Sequence, residues 1–211
     1  MSAFVVPGHE LTLEAAYETA MQREIAHISS VVPHDKLAFQ WDTAVEFGIL
    51  EGVFPPYFSG DAREGVLDRL LRYAGWVPVD IELGYHLCYG DFEHAHFKQP
   101  VDTGKLVDVA NALSAGVSRP LTWIHLPVPR DRADVAYFAP LGDLALQDDT
   151  ELYLGLVHFG DGIDGTERRI ASASGVVSSF GVATECGMGR RPPEQVEALL
   201  DIHAAVSDAL A

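Results

Sequence analysis

The chain has 211 residues, 48% of them hydrophobic and 21% charged, which is ordinary for a folded globular domain and gives no sign of disorder. Lys plus Arg total 14 against 31 Asp plus Glu, and the formal charge of -17 would repel phosphate backbones and anionic lipid, so nucleic acid and membrane surfaces are poor partners. No apolar run approaches the roughly 18 residues a membrane span needs, and the N-terminus lacks a basic segment with a signal-length apolar core. The expectation is a cytosolic (cytoplasmic) protein with a single domain over residues 1–211, whose two cysteines suit metal binding or catalysis better than a disulfide.

In chain order, Leu13, Tyr17, Met21, Ile25 and Ile28 recur at helical spacing, which predicts a helix from Leu11 to about Ser29 with these residues on its apolar face. Lys36–Asp42 reads as a buried strand, and a Pro/Gly-rich loop over Phe54–Asp61 leads into a helix near Ala62–Tyr73. The alternation then repeats. Val77–Tyr89 is the second strand, Thr103–Ala115 a helix and Pro120–Val128 the third strand. A short helix or irregular stretch over Ala133–Leu144 precedes the fourth strand, Glu151–His158, and its helix, Thr166–Ser178. Phe180–Cys186 is the fifth strand, and Pro193 opens a final amphipathic helix at a position where proline is well placed.

Strands alternating with helices imply an α/β fold with a parallel sheet, and strands apolar almost throughout suit a (β/α) TIM-barrel type. About five strand–helix units fall short of the eight that close such a barrel, so the barrel is expected to be incomplete, with its N-terminal strands missing. Open sheet edges would call for a homo-oligomer or a partner chain to cover them. The glycine-rich fingerprint of a dinucleotide fold is absent after the first strand.

His86 and Cys88 are residues i and i+2 of a predicted strand, so both point to the same face roughly 6.5 Å apart along the chain. A single ion can bridge them, and a core thiol beside a hydrogen-bonded imidazole is the rival reading. Cys186 ends the fifth strand on the same rim. The other strand ends there carry Gln40 and Asp42, His125, His158 and Asp161, and Glu185, which in a parallel sheet converge on one crevice. His94 and His96 read as loop histidines beyond the second strand.

Gly84-Tyr85-His86-Leu87-Cys88-Tyr89, with the distant Glu185-Cys186-Gly187-Met188-Gly189-Arg190, resembles the C-terminal catalytic barrel of cobalamin-independent methionine synthases and their shorter relatives, including the epoxyalkane:coenzyme M transferases. Gln40-Trp41-Asp42-Thr43-Ala44-Val45-Glu46 is similar to that family's strand bearing an aspartate and a glutamate near the thiol substrate, and the resemblance runs from about residue 11 to the end. It implies zinc (Zn2+) held by His86, Cys88 and Cys186. Where the synthases place a glutamate as fourth ligand, this chain has His125 nearest, and Glu185, water or substrate are the alternatives.

The resemblance further implies Asp42, Glu46 and Arg190 as substrate-binding residues and His158 as a proton shuttle. The implied reaction is transfer of a methyl or alkyl group from a donor, folate-like or an epoxide, to a small homocysteine-like thiol activated by zinc. Alternatives are a companion subunit that binds zinc and thiol without completing a reaction alone, and a zinc hydrolase using water as nucleophile.

Overall fold

In a computed structural model, which describes residues 1, 4–91 and 95–207, the described residues form a five-stranded parallel sheet in sequential order. The strands are β1 (Ala38–Asp42), β2 (Glu82–His86), β3 (Trp123–Pro127), β4 (Glu151–Val157) and β5 (Gly181–Thr184). The helices are α1 (Glu10–Val31), α2 (Ala44–Leu50), α3 (Ala62–Ala74), α4 (Gly104–Gly116), α5 (Val135–Phe138), α6 (Gly162–Ser174) and α7 (Pro193–Ser207). Parallel neighbours cannot be joined by a tight turn, and the connecting helices make each return. The sheet is not closed, leaving β1 and β5 as edges of an incomplete barrel of the α/β class expected. No helix among the described residues is long and apolar enough to cross a membrane.

Register gives the sheet two unlike faces. The row Trp41–Tyr85–Ile124–Leu152 and its neighbours Leu83, Leu87, Leu126, Leu154 and Leu156 pack into one core with Leu70 of α3 and Leu106, Val109 and Leu113 of α4. Each such fully buried aliphatic side chain contributes about 1.5–3 kcal/mol. The opposite face stays partly open: Gln40, Asp42 and Glu151 are exposed, and Trp123 and Tyr153 are half-buried. There Trp123 lies across Gly84 and donates from Nε1 to Gln40 Oε1 at 2.9 Å. A Cβ on Gly84 would stand 2.0 Å from the indole, so this glycine is required by close approach.

Three expectations shift. The second strand is shorter than Val77–Tyr89 because Ile81 N–H closes a turn onto Pro78 O at 3.1 Å, and Arg119 takes the carbonyls of Val77, Pro78 and Ile81. The stretch after β1, mostly apolar with Glu46 as its one charged residue, winds into α2, a short helix that the sequence reading does not assign. In α1, Leu13 and Tyr17 are exposed, while Glu14 and Ile25 are buried.

Burial of Glu14 follows from its partners. Arg69 of α3 donates to both its oxygens at 2.5 and 2.9 Å, and Tyr57 Oη–H donates at 2.7 Å. Burial pushes the Glu14 carboxyl up, but these hydrogen bonds and the guanidinium charge outweigh it and hold the group below its ordinary value. A lowered folded pKa stabilises above the unfolded pKa and is lost as pH falls through the folded one. Glu14→Gln should therefore lower the unfolding free energy at neutral pH, and the gap to the parent protein should close as pH falls below about 4. Urea unfolding at several pH values measures it, and a gap independent of pH would contradict this account.

Candidate metal centre

The row Asp42–His86–His125–Tyr153–Gly181 crosses the sheet on its open face. Beyond it the ladder continues: Leu87 N–H donates to His125 O at 3.0 Å, and the Thr43 amide and hydroxyl both donate to His86 O at 3.1 Å. These bonds keep the chain extended past β2 and carry Cys88 to the same face as His86. The Gly90 amide then donates to Cys88 Sγ at 3.2 Å.

Cys186 arrives from just past β5. Its Sγ lies 3.3 Å from His86 Nε2 and 3.5 Å from Cys88 Sγ, and both cysteines are free thiols. Ligand atoms of His86, Cys88 and Cys186 all lie within 4.8 Å of one another. Nitrogen and sulfur at about 2.0–2.3 Å from a tetrahedral zinc stand about 3.5–3.8 Å apart, so these separations fit such an ion. His86 Nδ1 is buried without a hydrogen-bond partner.

The turn that delivers Cys186 depends on Gly187, whose φ of 64° is left-handed. A Cβ there would stand 1.6 Å from Asp91 Oδ2. Asp91 in turn pairs with Arg190 at 2.6 Å, tying the loop after Cys88 to the loop after Cys186. The two thiols share a hydrogen bond. It pushes Cys88, which burial also raises, far above the ordinary thiol range, and it pulls Cys186 down, assisted by a hydrogen bond from His86.

The other candidate residues are placed differently. His125 stacks on His86 with ring centroids 4.5 Å apart and 21° between planes. Burial, aided by the neighbouring His86, pulls its pKa down to about 3, so the ring is neutral, and its Nε2 has no hydrogen-bond partner. The Glu185 carboxylate faces away from the thiols: Oε1 stands 2.8 Å from His96 Nε2, and Oε2 stands 3.6 Å from His158 Nδ1. His158 bonds Val128 O through Nε2 at 2.8 Å, and burial lowers its pKa. Neither His125 nor Glu185 belongs to the convergent group.

Asp42 is exposed beside His86 in register and accepts from Gln40 Nε2 at 2.9 Å. Its negative charge adds to the upward push on Cys88. Glu46, on α2, lines a pocket on the helix side of β1 with Tyr17, Trp41, Tyr57 and Tyr73, away from the thiols. Arg190 is committed to Asp91, and Asp161 is committed to Arg169.

His96 lies in a loop beyond β2, as expected, with its side chain buried against Glu185. His94 lies outside the described residues. His158 and Glu185 meet on the rim where the strand ends are expected to converge, and His96 joins them from a separate segment that no spacing signal linked to them. A cavity of about 600 Å3 opens over these three residues, with Arg130, Arg132 and Arg191 in its wall.

No protein-family model matches this chain, and no curated protein matches it. Among solved structures it is similar to a Listeria monocytogenes protein provisionally assigned as a vitamin-B12-independent methionine synthase, with 18% sequence identity and a TM-score of 0.55. The match covers 90% of this chain and 53% of that one, so this chain spans about half the length of the structure it resembles. At that identity the likeness is one of fold.

Proposed function

We propose that this chain takes part in zinc-dependent transfer of a methyl or alkyl group to a small, homocysteine-like thiol. The observation that carries the reading is the convergence of His86 Nε2 and the sulfurs of Cys88 and Cys186, three ligands with a fourth position left over. A zinc ion there would supply thiol activation, lowering the thiol pKa so that sulfur attacks as the nucleophilic form.

The chain's own residues do the rest. Stacking on neutral His125 holds the His86 ring in its plane. The Arg190–Asp91 pair fixes the Cys186 turn relative to Cys88. Exposed Asp42 offers a carboxylate to an ammonium group on the thiol. The thiol sulfur forms the new bond to carbon, the bond from that carbon to the donor breaks, and the donor leaves with the electron pair. His158, beside Glu185, is the candidate to return the proton the donor then needs, taking it up first at Nδ1 because Nε2 is bound to Val128 O.

The test uses zinc-loaded protein and homocysteine at neutral pH. About one proton should be released per thiol bound, and X-ray absorption at the zinc edge should show one sulfur ligand more than the two cysteines provide. An unchanged sulfur count would sink thiol transfer and leave hydrolysis as the surviving zinc chemistry.

A second reading is favoured by the unclosed sheet. Edge strands β1 and β5 and the half-open face suit a companion chain or second copy that completes the crevice. Mass in solution separates the two, since a stable monomer competent in the thiol titration would remove the need for a companion.

A further inference from the structure

We propose that the pocket behind β1, which adjoins the proposed thiol site at Asp42, binds a small methylated organic cation, a quaternary ammonium or sulfonium. It is a cavity of about 490 Å3 walled by Phe4, Tyr17, Trp41, Tyr57 and Tyr73, with Asp42 and Glu46 as its charged members and Met1 at its edge. Trp41 and Tyr73 stand with ring centroids 5.5 Å apart and 43° between planes, so their surfaces form a corner and not a flat stack. Trp41 Nε1 is buried with no hydrogen-bond partner.

The charges sort in one direction. Arg69 and Arg72 border the pocket and both are matched, while the Met1 amino group at its edge acts on Glu46 only through space. Arg69 is bound to Glu14 at 2.5 and 2.9 Å, and Arg72 to Glu18 and Asp68 at 2.6 Å each. Their guanidiniums cover the outer rings, Arg69 over Tyr57 at 5.0 Å and Arg72 over Tyr73 at 5.7 Å, while Trp41 and Tyr17 carry no such cation among the described residues. Glu46 has no ion-pair partner among the described residues. Burial pushes its carboxyl up, offset in part by its own backbone amide, the Met1 amino group and Arg69 acting through space.

Each alternative ligand meets an obstacle. An anion would face Asp42 and Glu46. A neutral apolar molecule would leave the buried Glu46 carboxyl without a hydrogen-bond or ion partner, a cost that a cation removes. A hard metal cation wants several oxygen ligands, whereas most of this wall is ring and aliphatic carbon. A methylated onium has the matching chemistry: its charge is diffuse and weakly hydrated, it is attracted to aromatic faces, and it is neutralised by a carboxylate at contact distance. Asp42 is shared with the thiol-transfer reading, whereas Glu46 is not among the convergent ligands His86, Cys88 and Cys186.

The experiment follows tryptophan fluorescence while the full chain is titrated with choline, with trimethylsulfonium, and with 3,3-dimethylbutanol, the uncharged isostere of choline. At least one of the two cations should saturate the signal, with the alcohol at least tenfold weaker. Glu46→Gln should bring the cation's affinity down to that of the alcohol while leaving zinc content unchanged, and Trp41→Leu should weaken the cation as well. Equal binding of cation and alcohol by the parent protein, or binding of neither cation, overturns the proposal, and this comparison needs no variant to fold. Unaltered cation affinity in folded Glu46→Gln overturns it too. Because zinc content is read in parallel, failure here is distinguishable from failure of the metal site.

Discussion

Changing Cys186 to serine should reduce bound zinc from about one ion per chain to less than about a tenth, with affinity falling by at least a hundredfold. Serine keeps the shape but its hydroxyl does not ionise at neutral pH, so the ion loses its anionic donor from β5. The contacts at stake are 3.3 Å to His86 Nε2 and 3.5 Å to Cys88 Sγ, which no other described residue replaces in the convergent group. Cys88→Ser should behave alike. His203→Ala is the control, because His203 bonds only the Leu199 carbonyl of its own helix, at 2.7 Å. Metal analysis after dialysis and competition with a chromogenic chelator give stoichiometry and affinity. Full zinc retention in Cys186→Ser would remove the proposed centre and the thiol chemistry built on it.

The largest stability effect is expected at Arg169, a buried cation on α6. Its guanidinium donates to Leu156 O at 2.8 Å, to Arg130 O at 2.6 Å and to both oxygens of Asp161 at 2.7 and 2.9 Å. Removing one member of such a set leaves two carbonyls and a carboxylate short of donors, and breaking a buried pair in this way costs about 3–5 kcal/mol. Arg169→Met should fall at the lower end, about 3 kcal/mol, because Asp161 keeps partial access to water. That corresponds to a urea midpoint lower by about 1–3 M. A loss below about 0.5 kcal/mol would mean that the carbonyls are re-solvated and that Arg169 is dispensable. The consequence reaches the rim, since Leu156 and Arg130 flank the segments carrying His158.

Neither Arg169 nor Glu14 is legible as a buried residue from sequence, because patterning assigns charged side chains to solvent. The exception depends on a partner from elsewhere: Glu14 is buried because Arg69 on α3 meets it, and Arg169 because the loop after β3 and the end of β4 present their carbonyls. The alternation of strands and helices was legible for all five strands, and most clearly for β2, β3 and β4, where burial on the sheet leaves its apolar mark. The exposed edge strand β1 and the short helix α2 carry it least. Strand ends were not. Pro78 and the carbonyls taken by Arg119 shortened β2 through contacts that no local window contains. Nor could spacing place Glu46, because the short helix α2 turns its carboxylate toward the helix side of β1.

By itself the sequence determined that His86 and Cys88 share a face, because side chains in a strand repeat every two residues whatever surrounds them. It also determined a parallel α/β sheet of about five units with an acidic surface, since composition and apolar period are local properties. Only the tertiary structure decided that Cys186 meets them, 98 positions of chain beyond Cys88, that His125 stacks on His86, and that Glu185 faces two imidazoles. Those distances follow from sheet register and from a left-handed turn at Gly187, and both are set by packing over the whole molecule.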